Sequence, residues 1–255
     1  MRTIKKVASH IFIDGFGGMT QGLFATLIIG TMIQQIGLLI GGSTGNVIYL
    51  LGKAAAALTS AGIGVGVAVK YGESPLVTVS AAVAAMVGGY AGKITGGTFF
   101  VDGNAVLSGP GEPLGAFIAA FAGITCGHLV SGKTKVDIIV TPVITIGAGS
   151  VVGLLVGPPI SQMMTGLGSI INWATEQRPF IMGIVVSVVM GMVLTLPISS
   201  AALGIILNLS GLAAGAATIG CCCNMVGFAV ASYRENKFGG LVAQGLGTCL
   251  LYTSD

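Results

Sequence analysis

Charge is what this sequence has least of. Asp, Glu, Lys and Arg make up 7% of its 255 residues, where a soluble domain carries about 25%. With so few charged side chains the chain cannot cover its own surface against water, so lipid must wet most of its outside. Other shortages narrow the field further. The five cysteines, Cys126, Cys221, Cys222, Cys223 and Cys249, contain no C-x-x-C pair. Neighbours in the triplet would point in different directions on a helix, so they read as small apolar side chains rather than metal ligands. No cofactor and no metal is implied. Basic blocks interleaved with aromatics are missing, which argues against a nucleic-acid partner. No Walker loop, zinc spacing or Ser/His/Asp set appears. Gly62-Ile-Gly-Val-Gly66 resembles a nucleotide loop only superficially, because it lies inside an apolar run. The apolar runs lack two-residue alternation, which excludes a spanning β-barrel. Helices are then the form in which backbone polar groups can be satisfied across a bilayer.

What is present is apolar and rich in glycine, at 53% hydrophobic residues and 43 glycines. A span needs about 20 predominantly apolar residues. Candidates lie at residues 18–40, 47–69, 75–91, 113–130, 137–156, 180–196, 199–215 and 218–233. The expected fold is an all-α integral membrane protein, a polytopic bundle of about eight spans with re-entrant or broken segments. Residues 158–179, with Trp173 beside Glu176 and Arg178, read as an interfacial segment. Residues 1–14 read as a short surface helix. The first apolar run is too long for a signal-peptide core and reads as a retained span. Residues 1–248 form one expected transmembrane domain. Residues 249–255 resemble a translated sequencing adapter, so the natural protein is expected to continue past Thr248, truncated here.

Orientation follows the basic residues. With the N-terminus in the cytoplasm, Arg2, Lys5, Lys6, Lys70, Lys133, Lys135, Arg234 and Lys237 fall inside, and only Lys93 and Arg178 fall clearly outside. Lys53 lies near the start of the second span, where it either snorkels to the interface or pairs with an acid. Gly149, Gly153 and Gly157 repeat every four residues along one face, and Gly62, Gly64 and Gly66 crowd the second span. Such spacing lets helices approach closely in lipid.

The stretch 94–112 is too polar and broken to face lipid, yet too apolar for an ordinary loop. Irregular backbone at membrane depth survives only where it is buried or lines a cavity. Asp102 and Glu112, with Thr95, Thr98, Asn104 and Ser108, offer the donors and acceptors that a polyol or sugar needs. The alternative is an extracellular loop whose acids are simply solvated. A second discontinuity, around Pro197 to Gly211, repeats Asn then Leu-Ser-Gly at Asn208, and Asn224 follows the cysteine triplet. Paired interruptions of this kind point to a transporter's binding site, although a lone Asn often serves only to tie two helices together. His128, near the end of the fourth span, is either a substrate or proton contact or a satisfied interhelical histidine.

Several pieces, in order along the chain, carry a resemblance. They are Gly62-Ile-Gly-Val-Gly-Val-Ala68, Gly111-Glu-Pro-Leu-Gly115, Ser131-Gly-Lys-Thr-Lys135, Pro142-Val-Ile-Thr-Ile146, Gly157-Pro-Pro159 and Ala243-Gln-Gly-Leu-Gly-Thr248. Together they resemble the enzyme IIC-like membrane proteins of the phosphotransferase system, the group that includes the perfringolysin O regulator. The resemblance implies a multi-pass permease of the bacterial cytoplasmic membrane that moves a sugar. A separate soluble enzyme IIB would phosphorylate that sugar, with IIA and IIB as partners and a homodimer allowed for. No phosphoryl carrier of this chain is implied, and Glu112 takes the sugar-contacting role by analogy. An ion-coupled solute carrier and a non-transporting membrane regulator stand as alternatives.

Overall fold

A computed structural model describes residues 14–101, 104–107, 109, 111–193, 204, 207 and 209–251. They divide into two compact units, residues 1–162 and 163–255. In the first unit, α1 (Phe16–Leu23), a π-helical turn (Phe24–Ile28) and α2 (Ile29–Ile40) make one apolar stretch of 25 residues. A turn at Gly41 and Gly42, both with positive φ, reverses the chain. α3 (Gly42–Ala57) returns along α2, and α4 (Thr59–Lys70) continues along α1 after a bend of 53°. α5 (Pro75–Gly89) opens with Ser74 as N-cap and Pro75 in the first turn, where a missing N–H costs nothing. The short α6 (Ala91–Thr95) leads to a hairpin of β1 (Phe100–Val101) and β2 (Asn104–Ala105). α7 (Pro113–Val130) then packs against both α4 and α5.

α8 (Asp137–Gln177) belongs to both units. The interfacial segment expected at residues 158–179 is therefore not a separate element. Its first twenty residues are helical and continue α8 past Pro158 and Pro159. Proline removes one backbone donor but holds φ near the helical value, so a helix supported by packing can run through it. In the second unit α9 (Pro179–Val193) packs on α10 (Gly211–Leu251), around Val186, Met190 and Ala217. Lys237 carries non-helical backbone (φ 48°) and marks a kink in α10 at the end of the polar run expected after residue 233.

Among the described residues, four helices are long and apolar enough to cross a membrane: Phe16–Ile40, Pro113–Val130, Asp137–Gln177 and Gly211–Arg234. The bent pair α3 and α4 makes a fifth if counted as one span, and α5 and α9 are shorter apolar helices. This is the all-α polytopic membrane fold that the composition demands. Large apolar side chains such as Leu39, Leu51, Leu155 and Phe180 face outward. The buried interior is instead dominated by alanine and glycine with a few hydroxyls, including Thr59, Ser60, Thr141 and Thr145. Lipid supplies no hydrophobic drive between helices, so close van der Waals approach has to hold them.

That approach is extreme in the first unit. A Cβ on Gly18 would stand 2.6 Å from the Gly66 carbonyl oxygen, which fixes α1 against α4. On α8, Gly149 lies against Ala84 and Ala119, Gly153 against Gly88, and Gly157 against Ala91, the face expected from the four-residue repeat. Gly147, two residues from Gly149, meets nothing within 4 Å. The two positions make a controlled pair. Gly149→Ala places a methyl 2.6 Å from the Ala84 Cβ and should destabilise the protein by about 1–3 kcal/mol. Gly147→Ala should be neutral or stabilising by up to about 1 kcal/mol. Thermal melts of the purified variants in one detergent check this; equal melting temperatures would contradict the packing described.

Candidate functional site

The first unit brings four helix ends to one place. α3 ends at Ala57, α4 begins at Thr59, α5 ends at Gly89 and α7 begins at Pro113. Each end leaves backbone groups without partners inside its own helix, and several of them are met here by side chains or by the backbone of a neighbouring element. The Thr59 hydroxyl donates to the Ala56 carbonyl at 2.6 Å, just past the bend. The Tyr90 hydroxyl reaches the Ala57 carbonyl at 3.1 Å. The backbone N–H of Glu112 donates to the Gly89 carbonyl at 2.7 Å.

Glu112 is the N-cap of α7. One carboxylate oxygen accepts from the Leu114 N–H at 3.2 Å and the other from the Gly115 N–H. Pro113 follows in the first turn, so the residues on either side of the boundary both favour a helix start. An ionised carboxylate has about four acceptor positions. Capping uses two of them, which leaves acceptor capacity for a hydroxyl donor. Gly111 precedes Glu112 with φ +76°, and a Cβ there would stand 2.5 Å from the Ser60 hydroxyl. Glycine at 111 is thus needed for both the turn and the fit against the fully buried Ser60. Ser60 lies ten residues before Lys70 in the broken span, about 15 Å along the helix axis at 1.5 Å per residue.

The other expected site residues are distributed differently. Thr98 is exposed before the hairpin, its hydroxyl 3.4 Å from the Lys93 carbonyl. Asn104 is exposed in β2. Asp102, Ser108 and Asn208 lie outside the described residues. His128 sits in the last turn of α7, sixteen residues beyond Glu112, or about 24 Å along the helix. Its Nδ1 is 2.9 Å from a Glu73 carboxylate oxygen, with the His side chain 71% exposed. It therefore ties the α4–α5 turn to the end of α7 and is no part of the Glu112 cluster. In the same turn, Tyr71 has its pKa pushed up to about 12, first by burial and then by the Asp14 carboxylate.

Asn224 belongs to the second unit, where its amide donates to the Gly191 carbonyl at 2.5 Å. That is the tie between neighbouring helices that a lone membrane Asn often makes. Lys53 is exposed on α3, farther into its helix than the sequence suggested, because α3 begins at Gly42. The second unit also holds an open apolar cavity of about 510 Å³ between α9 and the start of α10, lined by residues such as Phe180, Ile184 and Leu212.

Sequence reasoning missed Ser60 and Tyr90. The signal for the first was Thr59-Ser60, two hydroxyls inside an otherwise apolar run. For the second it was the pair Gly88-Gly89, which closes a helix immediately before an aromatic residue that carries a donor.

Comparison with curated proteins and with solved structures gave no match. The family described as "Phosphotransferase system, EIIC" matches residues 13–254, nearly the whole chain. The protein therefore belongs to the phosphotransferase system EIIC family and is a membrane-embedded permease component of that system.

Proposed function

We propose that this chain binds a sugar at Glu112 and carries it across the membrane, where a separate soluble IIB protein phosphorylates it. One observation carries the reading. Among the sequence-expected site residues described here, Glu112 alone stands where the ends of α3, α4, α5 and α7 converge. Broken helices meeting within an apolar unit are the usual way a transporter builds a solute site. A carboxylate at such a place is costly unless it is satisfied or functional. Here its capping bonds hold it in position and leave lone pairs over. A sugar hydroxyl is a suitable donor for them, and a hydrogen bond to a charged acceptor is stronger than one to a neutral oxygen.

In this reading the chain supplies binding, orientation and passage, and the phosphoryl chemistry belongs to the soluble partners. The basic residues of the loops place the N-terminus on the cytoplasmic side. Lys133 and Lys135 then lie on the face where IIA and IIB work. Asn104 and Thr98, both exposed, would meet the sugar before it enters.

Uptake of a panel of radiolabelled hexoses, hexitols and disaccharides into reconstituted vesicles tests the proposal. We expect phosphorylated sugar to accumulate only when phosphoenolpyruvate and the soluble phosphotransferase proteins are supplied. Uptake that persists without them and collapses with an uncoupler would favour an ion-coupled carrier, and no uptake at all would favour a regulator.

The roles of Glu112 as cap and as ligand separate by substitution. Glu112→Gln keeps one carbonyl acceptor for the cap and should cost less than about 1 kcal/mol of stability. It loses the charge-assisted bond to the sugar, worth about 1.5–3 kcal/mol, so KM should rise about 10- to 100-fold. Glu112→Ala should lose sugar binding and also about 0.5–2 kcal/mol of stability. Melting temperature and KM measured on the same preparations check both statements. A KM unchanged in Glu112→Gln would remove Glu112 from the sugar site.

A further inference from the structure

Tyr90 is 1% exposed, directly after the last residue of α5. Its hydroxyl faces two carbonyls, that of Ala57 at 3.1 Å and that of Gly109. Ala57 is the last residue of α3, and Gly109 opens the turn that delivers Glu112. A phenol has one proton to donate, so this single proton bridges the end of a half-helix to the turn carrying the acid. The ring cannot easily turn away. Phe99 packs on it at 5.3 Å between centroids, and the Lys93 ammonium sits 5.4 Å from its centre. The same stretch is held at its far end by the Glu112 N–H on the Gly89 carbonyl, and Gly109 and Gly111 both have positive φ.

We infer that Tyr90 is a positioning residue for the Glu112 site, its hydroxyl setting where the Gly109–Glu112 turn stands against the break between α3 and α4. The inference rests on the sugar-binding reading of Glu112 and goes beyond it by naming what holds the carboxylate in register. Tyr90 need not touch the sugar. It acts through the Gly109 carbonyl, which is three residues from Glu112. A side chain that only filled space would be replaced by phenylalanine with no effect on the site, because the ring and its packing remain.

Two measurements on Tyr90→Phe test this. The first needs no transport. Hydrogen exchange of the Glu112 amide, which donates to the Gly89 carbonyl, should speed up about tenfold, equivalent to ~1.4 kcal/mol. An unchanged exchange rate overturns the inference whatever the protein carries. The second is a double-mutant cycle with Glu112→Gln, using the sugar that the wild type takes up. Tyr90→Phe alone should raise KM about tenfold and leave Vmax per folded molecule within about twofold. In the Glu112→Gln background it should add less than about twofold, because the group it positions is already gone. Additive effects on KM would overturn a positioning role and leave only a structural one. Should Tyr90→Phe fail to fold, Phe99→Leu loosens the ring while keeping the hydroxyl, and it should raise KM about threefold by the same coupling. No change in that variant overturns the inference. Absence of any wild-type sugar uptake, with exchange at Glu112 still accelerated, would instead overturn the sugar reading.

Discussion

Inside a bilayer no water is at hand to complete a broken hydrogen-bond ladder, and each orphaned backbone group costs several kcal/mol. The rest of this structure depends on how that constraint is met at Leu58, where the second span breaks by 53°. Thr59 takes the Ala56 carbonyl, Tyr90 takes that of Ala57, the Glu112 amide takes that of Gly89, and the Glu112 carboxylate takes the first free amides of α7. The ends of α3 and α5 are thus completed by residues of neighbouring elements, and α7 by its own N-cap. A chain that could leave them to water would not need an acid, a buried phenol and a buried hydroxyl to converge. In the proposed reading, the same groups that make the break tolerable furnish the polar surface a sugar needs.

Packing follows from the same constraint. Completing helix ends with short side chains requires the helices to lie nearly in backbone contact, and glycine and alanine make that possible. Gly18 against Gly66, and Gly153 against Gly88, bring α1 to α4 and α8 to α5 in near-backbone contact, and Tyr90 reaches across to the Ala57 carbonyl. The large apolar side chains are left to face outward, the reverse of a soluble core. Glycine serves a second purpose at Gly111, where its positive φ and its missing side chain let the turn close over Ser60.

Much of this was legible in the sequence and some was not. The scarcity of charge forced a membrane fold, and the long apolar runs gave Phe16–Ile40 and Pro113–Val130 almost to the residue. Glu112 stood out because an acid between Gly111 and Pro113 is out of place in so apolar a chain. The break at Leu58 was hidden. It has no proline or glycine to announce it, and the carbonyls at it are met by a threonine hydroxyl and by a tyrosine 33 residues away. Residues 158–179, read as an interfacial segment apart from the fifth span, instead continue its helix through residue 177. Thr98 and Asn104 matched Glu112 in chemistry and proximity along the chain. They stand exposed beside and within a short hairpin, and pairing of Phe100 with Ala105 is not a pattern that composition reveals.

The central claim is that the Glu112 carboxylate, while capping α7, accepts a hydrogen bond from the transported sugar. Infrared difference spectra of the reconstituted protein, recorded on adding and removing a transported sugar, read that carboxylate directly. The account predicts a sugar-induced shift of a carboxylate band that is absent in Glu112→Gln. A difference spectrum that is the same in wild type and Glu112→Gln, at saturating sugar, would contradict it.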